Sequence, residues 1–260
     1  NKHYPLSVLF FLGLVVIAAY WQIVNLYFWT DDLDLFLKVI HPELGLWGMA
    51  PGWFGSGPYR YLHTPFMVMY PLFGLNATGY FAMEIVVYFI ATICVFLLGL
   101  ELTRKRSLAI GIAAIYGSLG YIGSYSIFHL SNLYQNVGAV IFTTLTLWIL
   151  AKYYRNNRLI YYLLSIFLFY ASLEIENLRS HGLIFLVLGL TVLYAKWNKS
   201  ILNIVLNIVK LIPFILIYKS LYSATLSFGN TTTVGAFFYT MGRDKLFAYF
   251  VNPFAIFSNV

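Results

Sequence analysis

GYFAMEIVVYFIATICVFLLGL, residues 79–100, decides the fold class. A single charged residue, Glu84, interrupts a run of apolar, hydroxyl-bearing and glycine residues. A helix that crosses a bilayer needs about 20 consecutive, mostly apolar residues, and this segment has that length. Working outward, similar runs lie at about Leu6–Phe28, Leu108–Ile127, Asn136–Ala151, Leu159–Leu173 and Gly182–Ala195. A seventh is expected in one of two registers. Either it starts near Leu211, after an interfacial helix carrying Asn203, Asn207 and Lys210 on one face, or it starts at Ile201 with Lys210 deep inside it. Lys219 is awkward in both registers and is expected either to snorkel or to face the protein interior.

Composition agrees. Of the 260 residues, 61% are hydrophobic and 10% charged, against about half and about a quarter in a water-soluble domain. That leaves too little polar surface to cover a particle in water. The fold class is therefore all-α, a polytopic transmembrane helical bundle of about seven spans. The first run is long for a signal peptide and lacks a clear cleavage site, so it reads as a retained span. Cys94 is the only cysteine, which excludes an internal disulfide and a cysteine-based metal site. The net charge of +7 is a matter of loop placement here, not of nucleic acid, and none is expected as a partner.

The loop charges alternate. Arg104, Lys105 and Arg106 separate the second and third spans, Lys152, Arg155 and Arg158 the fourth and fifth, and Lys196 and Lys199 follow the sixth. Most acids fall in the other connections: Asp31, Asp32, Asp34 and Glu43 after the first span, Glu174 and Glu176 after the fifth. The positive-inside rule puts the basic turns and Asn1 in the cytoplasm. The expected location is the plasma membrane, with residues 29–78 forming a long first extracytoplasmic loop that contains short juxtamembrane helices. Residues 1–221 read as one membrane module. Residues 222–260, with Arg243, Asp244 and Lys245, read as an outer segment that begins a further C-terminal portion, so the chain reads as an N-terminal piece of a longer protein.

The first outer loop opens with Trp29-Thr30-Asp31-Asp32-Leu33-Asp34. Aromatics anchor a span at the interface, but three acids are not needed for anchoring. Thr30 or Asp31 can cap a short helix running to about Ile40, with the other acids favourable near its N-terminus. Gly52, Gly55 and Gly57 follow among Trp53, Phe54 and Tyr59, without the spacing of a nucleotide-phosphate loop. Next comes Arg60-Tyr61-Leu62-His63-Thr64-Pro65 and an apolar stretch to Phe73-Gly74, too short to span and too apolar for a free loop. It is expected to pack along the outer face of the membrane. Glu84 lies near the outer end of the second span, either facing a cavity or sitting at the interface. Asn76-Ala77-Thr78 and Asn230-Thr231-Thr232 fit the glycosylation sequon.

This order of features resembles the GT-C superfamily of membrane glycosyltransferases, which includes the protein O-mannosyltransferases and the lipid A aminoarabinose transferases. The layout is a first span, an acidic pair just outside it (Asp31-Asp32), a long outer loop, an element like His63-Thr64-Pro65 leading to Leu72-Phe73-Gly74, and a basic turn after the second span (Thr103-Arg104-Lys105-Arg106). It covers roughly Leu6 to Leu190. Thr64 departs from the usual proline pair. The loop between spans three and four offers His129, Asn132, Gln135 and Asn136 where many relatives carry an acid. The resemblance implies transfer of a sugar from a polyprenyl-phosphate donor to a lipid, glycan or protein acceptor on the outer face, with inversion. It assigns the general base to Asp31.

The residues supply matching chemistry. A carboxylate near the membrane surface is a suitable base for an acceptor hydroxyl, and Asp32 stands beside it. Asp32 and Asp34 form an Asp-x-Asp of hard ligands suited to Mg²⁺ or Mn²⁺. The leaving phosphate needs cations. Arg179 offers a planar fork of donors, with His181 beside it, unless Arg179 only pairs with Glu174 or Glu176. His63 and Arg60 are further donor-phosphate contacts. Two rival readings remain: a transporter or flippase of lipid-linked sugars, to which Lys210 and Lys219 would point, and a non-catalytic membrane scaffold.

Overall fold

The computed structural model describes residues 6–28, 32, 33, 36, 40, 64–119, 130–175, 182–194 and 201–229. Among them the secondary structure is helical, with no strand. Helix α1 spans Leu6–Tyr20 and continues as a 3₁₀ turn, Trp21–Asn25. Then follow α2 (Thr64–Phe73), α3 (Ala77–Thr103), α4 (Arg106–Ser118), α5 (Leu130–Asn156) and α6 (Leu159–Ile175). Helices α7 (Leu183–Tyr194), α8 (Ile201–Val209) and α9 (Ile212–Gly229) complete the described chain.

Four stretches are long and apolar enough to cross a membrane: Leu6–Asn25, Ala77–Thr103, Asn136–Asn156 and Ile204–Leu221. Helices α4, α6 and α7 sit where further spans were expected, but they are shorter, at 13, 17 and 12 residues. The expected continuation of α4 to Ile127 falls on residues 120–129, outside the described part. The outward faces are apolar. Leu6, Phe10, Phe167, Phe185 and Leu193 are all more than 60% exposed. Such faces suit an apolar solvent, and they suggest a membrane protein.

Helix α3 is the central element. Asn76 caps its first turn by accepting from the Thr78 amide at 3.2 Å, so the sequon asparagine has a structural use. At 27 residues, α3 is about 40 Å long and packs against α1, α2, α4 and α5. It ends at Arg104, whose φ of 59° turns the chain directly into α4. Asn157, φ 51°, does the same between α5 and α6. Both connections are too short for anything but antiparallel neighbours, so each pair forms a tight hairpin.

Small residues let the first hairpin close. Ala109, Ala113 and Gly117 form a stripe on α4 four residues apart, and a Cβ on Gly99 of α3 would lie 3.5 Å from the Ala109 backbone. A Cβ on Gly117 would lie 3.1 Å from Thr92 and 3.2 Å from Val16, so α1, α3 and α4 meet there. In the second hairpin, hydroxyls are satisfied within the apolar interior. Thr143 and Ser172 bond across α5 and α6 at 2.9 Å, and Thr144 and Thr146 bond back to carbonyls one turn earlier. Tyr154 donates to Thr191 of α7 at 2.9 Å.

The charged ends of the bundle sort themselves. Glu101, near the end of α3, pairs with Arg155, near the end of α5. Arg155 also donates to the Glu101 carbonyl at 3.2 Å. The C-termini of α3 and α5 therefore share one end with the turns at 104–106 and 157–158, and the two helices run parallel. Lys152 lies over the Trp148 ring at 3.7 Å at this basic end.

The last described elements cover the stretch for which the sequence left two registers open. Asn207 of α8 is buried, whereas Val205, Leu206, Ile208 and Val209 are 46–53% exposed. An interfacial helix would turn its polar face to water. Here Asn207 turns into the protein while its apolar neighbours face outward. The helix breaks at Lys210–Leu211, because Pro213 has no N–H for the carbonyl four residues earlier. Tyr162 of α6 donates to the Lys210 carbonyl at 2.8 Å, satisfying a backbone group at the break. Lys219 is exposed rather than turned inward. Helix α9 runs on to Gly229, past the boundary expected near Tyr222.

Candidate functional site

The end of the bundle opposite the basic turns is where the acidic segment docks, and aromatic packing fixes it. Asp32, Leu33, Phe36 and Ile40 are helical, consistent with the short helix expected there. Phe36 is 2% exposed. Its ring centroid lies 4.5 Å from Phe28, 5.0 Å from Phe66 and 5.1 Å from Tyr80. Phe66 belongs to α2, whose Met69 is also buried while Val68 and Leu72 face out. Helix α2 has 10 residues, about 15 Å, too short to cross a bilayer, and it packs against α3. Gly74, φ 55°, turns α2 into α3, and its carbonyl accepts from the Tyr80 hydroxyl at 2.9 Å.

Asp32 lies one helical turn before Phe36 and shares its buried side, with no exposed surface. From α3, Glu84 is also fully buried. It lies within electrostatic reach of Asp32, another acid. Neither Glu84 oxygen has a hydrogen-bond partner among the described residues. One turn on either side of Glu84 stand Tyr80 and Tyr88. Below it, Tyr88 accepts from Tyr20 at 3.4 Å, donates to the Tyr116 carbonyl at 2.9 Å and stacks on the Tyr116 ring at 5.4 Å. Glu84 therefore sits between two aromatic clusters whose hydroxyls are directed elsewhere. Glu84 itself has no exposed surface.

Glu174, at the penultimate position of α6, is a further buried acid at this end, and it is not free. Among the described residues, no group of three or more His, Cys, Asp or Glu side chains could hold a metal ion. Asp32 and Glu84 alone offer two hard carboxylates. The other residues proposed from sequence lie outside the described part: Asp31, Asp34, Arg60, His63, Arg179 and His181. So do Glu176, His129 and the glycines at 52, 55 and 57. The pairing of Arg179 with Glu174 or Glu176 falls there too.

The residue that the sequence undervalued is Glu84. Its signal was the lone charge inside a long apolar run, four residues from a tyrosine on either side. No protein family profile, curated protein or solved structure matches this chain.

Proposed function

We propose that the chain is a membrane glycosyltransferase that moves a sugar from a polyprenyl-phosphate donor to an acceptor at the acidic end of the bundle. The observation that carries this reading is the docking of the acidic segment. Asp32 is buried, one helical turn from the docked Phe36, at one end of an apolar bundle and within electrostatic reach of a second buried carboxyl, while the basic turns lie at the other end. Acids are expensive to bury, and acids placed at the head of the spans, away from the basic turns, suit chemistry on the face that a lipid-linked sugar reaches from the bilayer. The basic end is cytoplasmic under the positive-inside rule, which makes the acidic end extracytoplasmic and the plasma membrane the location.

In this mechanism the acceptor hydroxyl attacks the anomeric carbon and gives its proton to Asp31. The bond from that carbon to the lipid-phosphate oxygen breaks, and the electron pair leaves with the phosphate. Attack opposite the leaving group inverts the anomeric centre. Asp32 fixes the adjacent backbone through its burial. Arg179, His181, His63 and Arg60 are the residues assigned to the phosphate, whose charge planar and cationic donors stabilise. Asp32 and Asp34 are the carboxylates available to a divalent cation.

A second reading has one observation in its favour. The break at Lys210–Leu211, beside the inward-facing Asn207, has the form of the discontinuous helices that transporters use around a substrate. One experiment separates the two. Membranes carrying wild-type protein should transfer labelled sugar from crude polyprenyl-phosphate donors to an acceptor, and Asp31→Asn membranes should not. Sugar-lipid movement across vesicles that persists in Asp31→Asn, with no transfer by either protein, would select the transporter.

A further inference from the structure

We propose that Glu84 is a substrate-contacting residue of this site, and that its carboxyl oxygens accept hydrogen bonds from hydroxyl groups of the bound sugar. The inference rests on the transferase reading above and adds a residue to it from the second long helix.

Three observations lead there. Glu84 has no exposed surface, yet both of its oxygens are without a partner among the described residues. Buried polar groups are nearly always hydrogen-bonded, so an orphan of this kind calls for an explanation. The neighbours along α3 do not supply one. The Tyr80 hydroxyl is committed to the Gly74 carbonyl, that of Tyr88 to the Tyr116 carbonyl, and that of Thr92 to the Tyr88 carbonyl. The group that acts on Glu84 electrostatically is Asp32, which as another acid brings no compensating positive charge. What the position lacks is a set of hydrogen-bond donors, and a sugar ring carries several.

The placement is also stable enough to serve recognition. Glu84 sits two turns inside α3, between the cluster of Phe36 and Tyr80 and the cluster of Tyr20, Tyr88 and Tyr116. A carboxyl held on a rigid helix between packed aromatics loses little freedom when a ligand arrives. A site built to pair with a hydroxyl discriminates strongly against a ligand that lacks it, because the buried group is then left unpaired.

The test uses the full-length protein in nanodiscs. Affinities are measured by ligand-induced thermal shift for citronellyl-phosphate mannose, glucose and arabinose, and for monodeoxy analogues of whichever binds. Wild type should bind at least one parent sugar and lose about tenfold or more on removal of one particular hydroxyl. Glu84→Leu should melt at or above the wild-type temperature without ligand, since it removes an unsatisfied buried group, and should no longer distinguish parent from deoxy sugar. Glu84→Gln, nearly the same shape, should show an intermediate preference, which keeps the comparison available if Glu84→Leu does not fold. Equal discrimination by wild type and both variants would overturn the role of Glu84 and leave the transferase reading standing. No binding or transfer by wild type with any of these donors would overturn the transferase reading, and this inference with it.

Discussion

Removing the Phe36 ring should release the acidic segment from the bundle without melting the bundle. Phe36 is almost fully buried and makes edge or tilted contacts with Phe28, Phe66 and Tyr80 at 4.5–5.1 Å. Truncating a buried Phe to Ala costs about 3–5 kcal/mol, and each aromatic pair is worth about 0.5–1.5 kcal/mol within that. These ring contacts are local to Phe36, so the loss falls mainly on docking around it. At about 1.4 kcal/mol per factor of ten, the opening equilibrium should rise by about a hundredfold or more. Hydrogen–deuterium exchange read by mass spectrometry should show faster exchange in peptides covering Asp32–Ile40 in Phe36→Ala. Peptides of α6 and α7 should exchange as in wild type, because their buried residues belong to a separate core cluster around Phe169 and Val187. Phe36→Leu should fall between the two. Unchanged exchange at Asp32–Ile40, or an equal rise across α6 and α7, would refute the claim that this ring is the local anchor.

Two further outcomes follow from the packing. Glu101→Gln and Arg155→Met should each lower stability by about 1–3 kcal/mol, since each leaves one partner of a partly buried ion pair. The double variant should lose clearly less than the sum of the single losses, in thermal unfolding followed in detergent. Gly117→Val should destabilise by about 1–3 kcal/mol through overpacking against Thr92 and Val16. Gly111→Ala on the same helix meets nothing within 4 Å and should gain about 0.5–1 kcal/mol, so a thermal melt of the pair separates close approach from helix propensity.

The helical class was legible because crossing an apolar layer imposes a length, and runs such as 79–100 and 6–28 meet it. The ends of α3 were less so. Asn76 caps the helix, but as part of Asn-Ala-Thr it reads as a sequon, and only the Thr78 amide bond shows its use. The pairing of Glu101 with Arg155 was hidden by a separation of 54 residues. Which way α8 turns depends on where Asn207 packs, and that is a tertiary property. At the site, the burial of Asp32 and its docking through Phe36 could not be read from Asp-Asp-x-Asp alone. Glu84 was visible as a charge in an apolar run. Its isolation came only from knowing where the hydroxyls of Tyr80 and Tyr88 are directed.

The two-residue turns at Arg104-Lys105 and Asn157-Arg158 have a mechanical consequence. A hairpin closed so tightly, and packed by stripes such as Ala109, Ala113 and Gly117, behaves as one stiff lever and resists splaying. The joint at Lys210–Leu211 is different: the backbone ladder is already interrupted there, and a single hydroxyl from Tyr162 braces it. If the bundle opens sideways to admit the long tail of a lipid, the compliance lies at that joint, with α9 swinging as a gatepost beside two hairpins that stay shut.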